Sequence, residues 1–195
     1  MHSTLTPTLL SAPPRLSLGE DLVVISSELE GYRFLAQRVA PQAEVLLLSQ
    51  AKDGILAIDH LLSILAPIRR LHLLSPNSGD ELHLGSTHLR YNNLHHYDSI
   101  LYKWRSRLAP KSEILIYDGK LAHTETGQFL IDVLHYLTGA AIAACTMPPR
   151  ADLPYGHWEL DCETPDFSPV VALPPQDLVT LWHGQSSNML LASNF

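Results

Sequence analysis

Cysteine is scarce in this chain: Cys145 and Cys162 are its only two. A scaffold stapled by several disulfides is therefore excluded, and at most one bridge is open to it. Long hydrophobic runs are missing too. The longest candidate, Thr138 to Met147, falls far short of the about 18 apolar residues that mark a membrane span. Cationic residues are few, 13 Lys and Arg against 20 Asp and Glu, and the net charge of −7 removes the basic footprint of a nucleic-acid binder. There is no Gly-rich phosphate loop, no nucleotide fingerprint and no Gly-x-Ser-x-Gly elbow, so nucleotide-dependent functions have nothing to rest on. No internal repeat or low-complexity block is present.

What is there describes a folded domain. The 46% hydrophobic and 17% charged fractions over 195 residues suit one globular unit with a sizeable core. Residues 1–20 carry Pro7, Pro13 and Pro14 and no basic residue before Leu9-Leu10, so they read as an irregular arm rather than an export signal. Residues 21–164 form the domain, and 165–195 a Pro-rich tail with one candidate helix, Gln176 to His183. The 11 histidines do not by themselves define a metal site, and no metal or cofactor is assigned.

Within the domain, strands and helices alternate. Asp21–Ser26, Glu44–Ser49, Leu71–Ser75, Ser112–Tyr117 and Ala140–Thr146 are short apolar runs of the kind that fill buried parallel strands, with His157–Asp161 a late strand. Helical spacing predicts helices over Tyr32–Val39, from Asp53 to near Pro67, over Asn92–Leu108 and over Thr126–Thr138. Glu81–Gly85 and Thr87–Arg90 alternate apolar and polar residues around Gly85-Ser86 and predict a small hairpin. The fold class is α/β, a three-layer sandwich around a mainly parallel sheet. In such sheets chemistry collects beyond the carboxyl ends of the strands.

Several phrases in this order resemble a known bacterial family: Val24-Ile-Ser-Ser27, Ala43-Glu-Val-Leu-Leu-Leu48, Lys52-Asp-Gly-Ile55, His72-Leu-Leu-Ser75, Leu82-His-Leu-Gly-Ser86, Ile114-Leu-Ile-Tyr117, Glu125-Thr-Gly-Gln128, Leu137-Thr-Gly139 and Gly156-His-Trp-Glu-Leu160. The family is a domain of unknown function with a caspase-like fold, common in cyanobacteria and usually found near the start of very large surface or secreted proteins. The resemblance spans roughly Asp21 to Glu163. It implies a caspase-like sandwich with Ser-His-Gly after the third strand and Tyr-Gly-Cys after the fourth.

Carried over by position, the His falls on Pro76 and its Gly on Asn77, while the Gly-Cys pair falls on Asp118 and Gly119. Proline does not titrate and glycine offers no nucleophile, so the thiolate–imidazole mechanism has neither of its groups. The resemblance thus implies a degenerate, catalytically inactive member.

Other residues near the strand ends are candidates for a residual site: Asn77, Asp80, Asp118, His123 and Cys145. Cys145, with His72, His83 or His123, would make a relocated dyad; the plainer reading of Cys145 is a small buried hydrophobe. Asp118, Asp80 and Glu81 place carboxylates that suit acid–base work or calcium, or simply a solvated loop. His95-His96 lacks the i, i+4 spacing of helical zinc motifs and reads as an exposed face, its two rings on different sides. Tyr97, Tyr102 and Trp104 read as core and rim packing, and Tyr91, Tyr102 or Trp104, if exposed, as protein-contact anchors. Trp182-His183-Gly184 lies outside the matching region and reads as coincidence. The leading expectation is a non-catalytic protein-interaction or assembly module. The alternatives are a hydrolase using Cys145 or the acidic loops, and a calcium- or small-molecule-binding domain. The expected partner is a protein rather than a nucleic acid, and the expected location is cytoplasmic.

Overall fold

The structure, a computed structural model, describes residues 20–29, 31–39, 43–65, 67–76, 79–145 and 160–165. The arm before residue 20, Asn77, the first residues of the expected last strand and the tail beyond residue 165 lie outside the described residues.

Six strands form one sheet in the order β2-β1-β3-β6-β7-β8. They are β1 (Asp21–Ser26), β2 (Glu44–Leu48), β3 (Ile68–Leu74), β6 (Leu108–Tyr117), β7 (Ala141–Cys145) and β8 (Leu160–Glu163). The first five pair in parallel and β8 joins antiparallel. A separate two-stranded hairpin, β4 (Leu82–Leu84) and β5 (Thr87–Leu89), follows β3.

The strand order changes direction at β1. The chain steps outward to β2 through α1 (Tyr32–Arg38), then crosses back over β1 through α2 (Gly54–Ile64) to reach β3. Right-handed crossovers in opposite directions put the connecting helices on opposite faces. The packing follows that rule. Leu22 and Val24 of β1 face a core shared with α2, α3 (Asp98–Arg107) and α4 (Glu125–Thr138), while Val23 and Ile25 face α1 through Leu35. Burial of β1 on both faces explains why its sequence is an apolar run rather than an alternation. A mainly parallel sheet between two helical layers is the α/β sandwich that the sequence predicts.

Two elements differ from expectation. The single helix over Asn92–Leu108 is instead a 3₁₀ segment, Tyr91–His96, followed by α3. The Tyr91–His96 segment carries no apolar stripe and buries only Leu94; its backbone is turned by the Arg90 amide donating to Asn93 Oδ1 at 2.8 Å. In this tighter turn the His95 and His96 rings lie 4.0 Å apart, so the pair does not splay to different sides. Pro110 follows the helical residues and sits inside an irregular start of β6, where the register slips between Ile68 and Arg70 and Lys111 adopts φ 58°.

Candidate functional site at the strand ends

Pro76 follows β3 and Gly119 follows β6, and these strands are neighbours with Leu74 opposite Tyr117. The fold therefore brings together the two positions singled out in the sequence. Between them lies a hydrogen bond rather than a reactive pair. Ser75 Oγ donates to Asp118 Oδ2 at 3.2 Å, while Asp118 Oδ1 accepts the amides of Lys120 at 3.1 Å and Leu121 at 2.9 Å. The Asp118 carboxylate is buried and holds the turn that leads into the 3₁₀ segment Leu121–His123. Gly119 has φ 81°, a left-handed conformation that costs any residue with a Cβ.

The other candidate residues differ from it in exposure and packing. Asp80 and His123 are exposed. Cys145, on the next strand, is 0% exposed and packs with Val23, Ile25 and Leu115 on the α1 side of the sheet, as a small core hydrophobe does. His72 is also fully buried, its Nδ1 3.1 Å from the Tyr117 hydroxyl and its Nε2 4.0 Å from Asp21 Oδ1. Burial pulls its pKa down from 6.5 to about 4, against the raising effect of Asp21 and with a smaller lowering by Arg70. At neutral pH His72 is an uncharged core residue. The Tyr117 phenol is pushed up, by burial first and by the neighbouring Cys145 next.

A second constellation lies at the hairpin, and sequence reasoning missed it. A two-residue turn at Gly85-Ser86 pairs Leu84 with Thr87, His83 with His88 and Leu82 with Leu89. Leu82, Leu84, Thr87 and Leu89 are buried, which leaves both histidines on the opposite face, their ring centroids 4.0 Å apart. The adjacent Glu81 directs Oε1 at His83 Nε2 and at His88 Nδ1, the latter at 3.3 Å, and Oε2 at Arg90. Burial raises the Glu81 pKa, but hydrogen bonds from His83, Arg90 and His88 outweigh it and hold the carboxyl down at about 2. The signal was present in the text as two histidines placed symmetrically about Gly85-Ser86. Their pairing follows from the hairpin register, which sets His83 directly opposite His88.

Both constellations occupy the carboxyl edge of the sheet. The hairpin is anchored there by a backbone bridge from Gly85 to Asp53, by Ser86 N to Lys52 O at 2.8 Å, and by Gly54 N to Thr87 Oγ1 at 3.2 Å. Among the described residues no helix is long and apolar enough to cross a membrane.

The family profile described as "Domain of unknown function (DUF4347)" matches residues 22–183. No curated protein and no solved structure matches the chain.

Proposed function

The chain belongs to the DUF4347 family, and on that premise we propose that it is a non-catalytic protein-interaction module, a pseudo-peptidase on a caspase-like scaffold. The observation that carries this reading is a band of exposed aromatic rings over the outer side of α3 and α4. Phe129 and Tyr136 lie seven residues apart on α4 and so share one face of it. Tyr91 meets Phe129 at 6.1 Å between ring centroids, and the Arg105 guanidinium lies 5.1 Å from the Tyr102 ring and 5.8 Å from that of Tyr136. Tyr102 is 58% and Tyr136 72% exposed.

Aromatic rings around an arginine are the composition of interface hot spots, because they bury large area at small entropic cost. Arg105 is already held in place: it donates to the carbonyl oxygens of Tyr136 and Leu137, the latter at 2.9 Å, at the carboxyl end of α4. A partner docking there meets a preorganised surface. The net charge of −7 favours a protein partner over a nucleic acid. Loss of catalysis rests on Pro76 and Gly119 in the dyad positions, and on an Asp118 carboxylate that is engaged by a hydroxyl and two amides.

The test is affinity purification of the full chain beside a Tyr102→Ser/Phe129→Ser/Tyr136→Ser variant with unchanged circular dichroism. A stoichiometric protein retained by the wild type and lost from the variant supports the module. Equal retention by both removes this surface from the reading.

A further inference from the structure

We infer that Glu81, His83 and His88 form a binding site for a divalent transition cation of the Zn2+ type, at the point where the strand order reverses. Each residue offers one ligand atom, and the three atoms lie within 4.8 Å of one another. Two imidazoles and one carboxylate are a donor set suited to zinc and its neighbours rather than to calcium or magnesium, which take oxygen ligands.

The geometry is close to what such an ion requires. Metal–ligand bonds of about 2.0–2.2 Å in a tetrahedral site put ligand atoms roughly 3.3–3.6 Å apart. His88 Nδ1 and Glu81 Oε1 are 3.3 Å apart already, whereas His83 Nε2 sits closer to the carboxylate and must move outward as the ion enters. The cross-strand register fixes the two imidazoles opposite each other on a hairpin whose other face is locked into the core. The side chains of Glu81 and His83 are only 11% and 18% exposed, and that of His88 is 52% exposed. The site thus has a sheltered floor and one open side, which leaves a position for water or a ligand from a partner.

Groups around the ligands support the assignment. The second nitrogen of His83, Nδ1, faces Glu28 Oε2 at 3.9 Å, an ion-pair separation that the outward movement of the ring must close for Glu28 to serve as the outer carboxylate that orients a metal-bound histidine. Glu28 is itself held by Gln50 Nε2 at 2.9 Å. Glu28 follows β1 and the hairpin follows β3, so the site spans the two loops between which open α/β sheets bind ligands. Arg90 occupies Glu81 Oε2 and leaves Oε1 as a single-atom ligand.

The experiment is calorimetric titration of the full chain with ZnCl2 at neutral pH, repeated with Co2+ to record ligand-field absorption. The expected result is one equivalent of Zn2+ on the wild type, with a Co2+ spectrum of low-coordinate type. His88→Ala, at a half-exposed position, should keep the fold and weaken binding by more than about tenfold; Glu28→Gln, an outer-shell change, should weaken it by about tenfold. A His95→Ala/His96→Ala variant should bind as the wild type does. Absence of Zn2+ binding overturns the inference, as does wild-type affinity in His88→Ala, or loss of binding in the His95→Ala/His96→Ala variant alone.

Discussion

Ser75 and Asp118, the residues that precede Pro76 and Gly119, join the ends of β3 and β6 by a 3.2 Å hydrogen bond. Because the same carboxylate also accepts the amides of Lys120 and Leu121, its loss strands two buried donors, Ser75 Oγ and Leu121 N, and the part-buried Lys120 amide. Asp118→Ala should destabilise the domain by about 1–3 kcal/mol, the cost of leaving buried polar groups unsatisfied. Ser75→Ala, which spares the two amides, should cost less. Urea denaturation of both variants gives the comparison, and equal midpoints would sink the proposed hierarchy.

Arg70 grips Asp21 with two donors, Nε to Oδ1 at 2.5 Å and an Nη to Oδ2 at 2.8 Å, at the start of adjacent strands. Asp21 is buried, so Arg70→Leu strips compensation from a sheltered charge and should cost up to about 3 kcal/mol. The paired Asp21→Leu/Arg70→Leu variant should be more stable than Arg70→Leu alone, since no unpaired carboxylate remains. A double-mutant cycle measured by chemical denaturation checks this, with additive single effects as the contrary outcome.

His72 gives the domain an acid-sensitive window. Its folded pKa of about 4 lies below the ordinary 6.5, so between these values the unfolded chain binds a proton that the folded chain refuses. Stability from this residue is complete above pH 6.5, falls as pH drops, and stops falling below pH 4. The loss is on the order of 3 kcal/mol across that window. Glu81, held at about 2 rather than 4.5, has its own loss at lower pH, from 4.5 downward. His72→Phe should flatten the stability profile between pH 6.5 and 4 and leave the lower limb in place. Thermal melts across that range decide it.

Gly85 supports the hairpin in two ways. It has φ 66° at the first central position of the turn, as a hairpin turn with glycine there demands, and a Cβ would lie 2.2 Å from Lys52 O. Gly85→Ala should cost more than about 1 kcal/mol. It should also displace the hairpin on which His83 and His88 stand, so Zn2+ affinity should fall with stability. A variant as stable as the wild type would show that the turn tolerates the side chain.

Much of the framework was legible because burial writes itself into composition. Leu22 to Ile25 read as a buried parallel strand since both faces of β1 are covered. Gly139 ends α4 as its C-cap, while the helix starts at Glu125 behind the Thr124 cap, one residue before the expected Thr126. The hairpin register was equally available, since alternation around Gly85-Ser86 sends Leu82, Leu84 and Leu89 inward. The break before α3 was not, because apolar spacing at Leu94, Tyr97, Ile100, Leu101 and Trp104 is compatible with one helix and does not record where a 3₁₀ segment gives way to it.

Local pattern, then, determined most of the elements and the α/β class. Only the tertiary structure decided what the polar residues do. Cys145 and His72 carry the same letters whether buried or poised, and sheet packing made them core. Asp118 became a turn anchor because β3 and β6 are neighbours. Glu28 and His83 are 55 positions apart in the chain yet face each other at 3.9 Å, because the strand order reverses at β1. Contacts of that range depend on chain crossings, and no window of sequence contains both ends of a crossing.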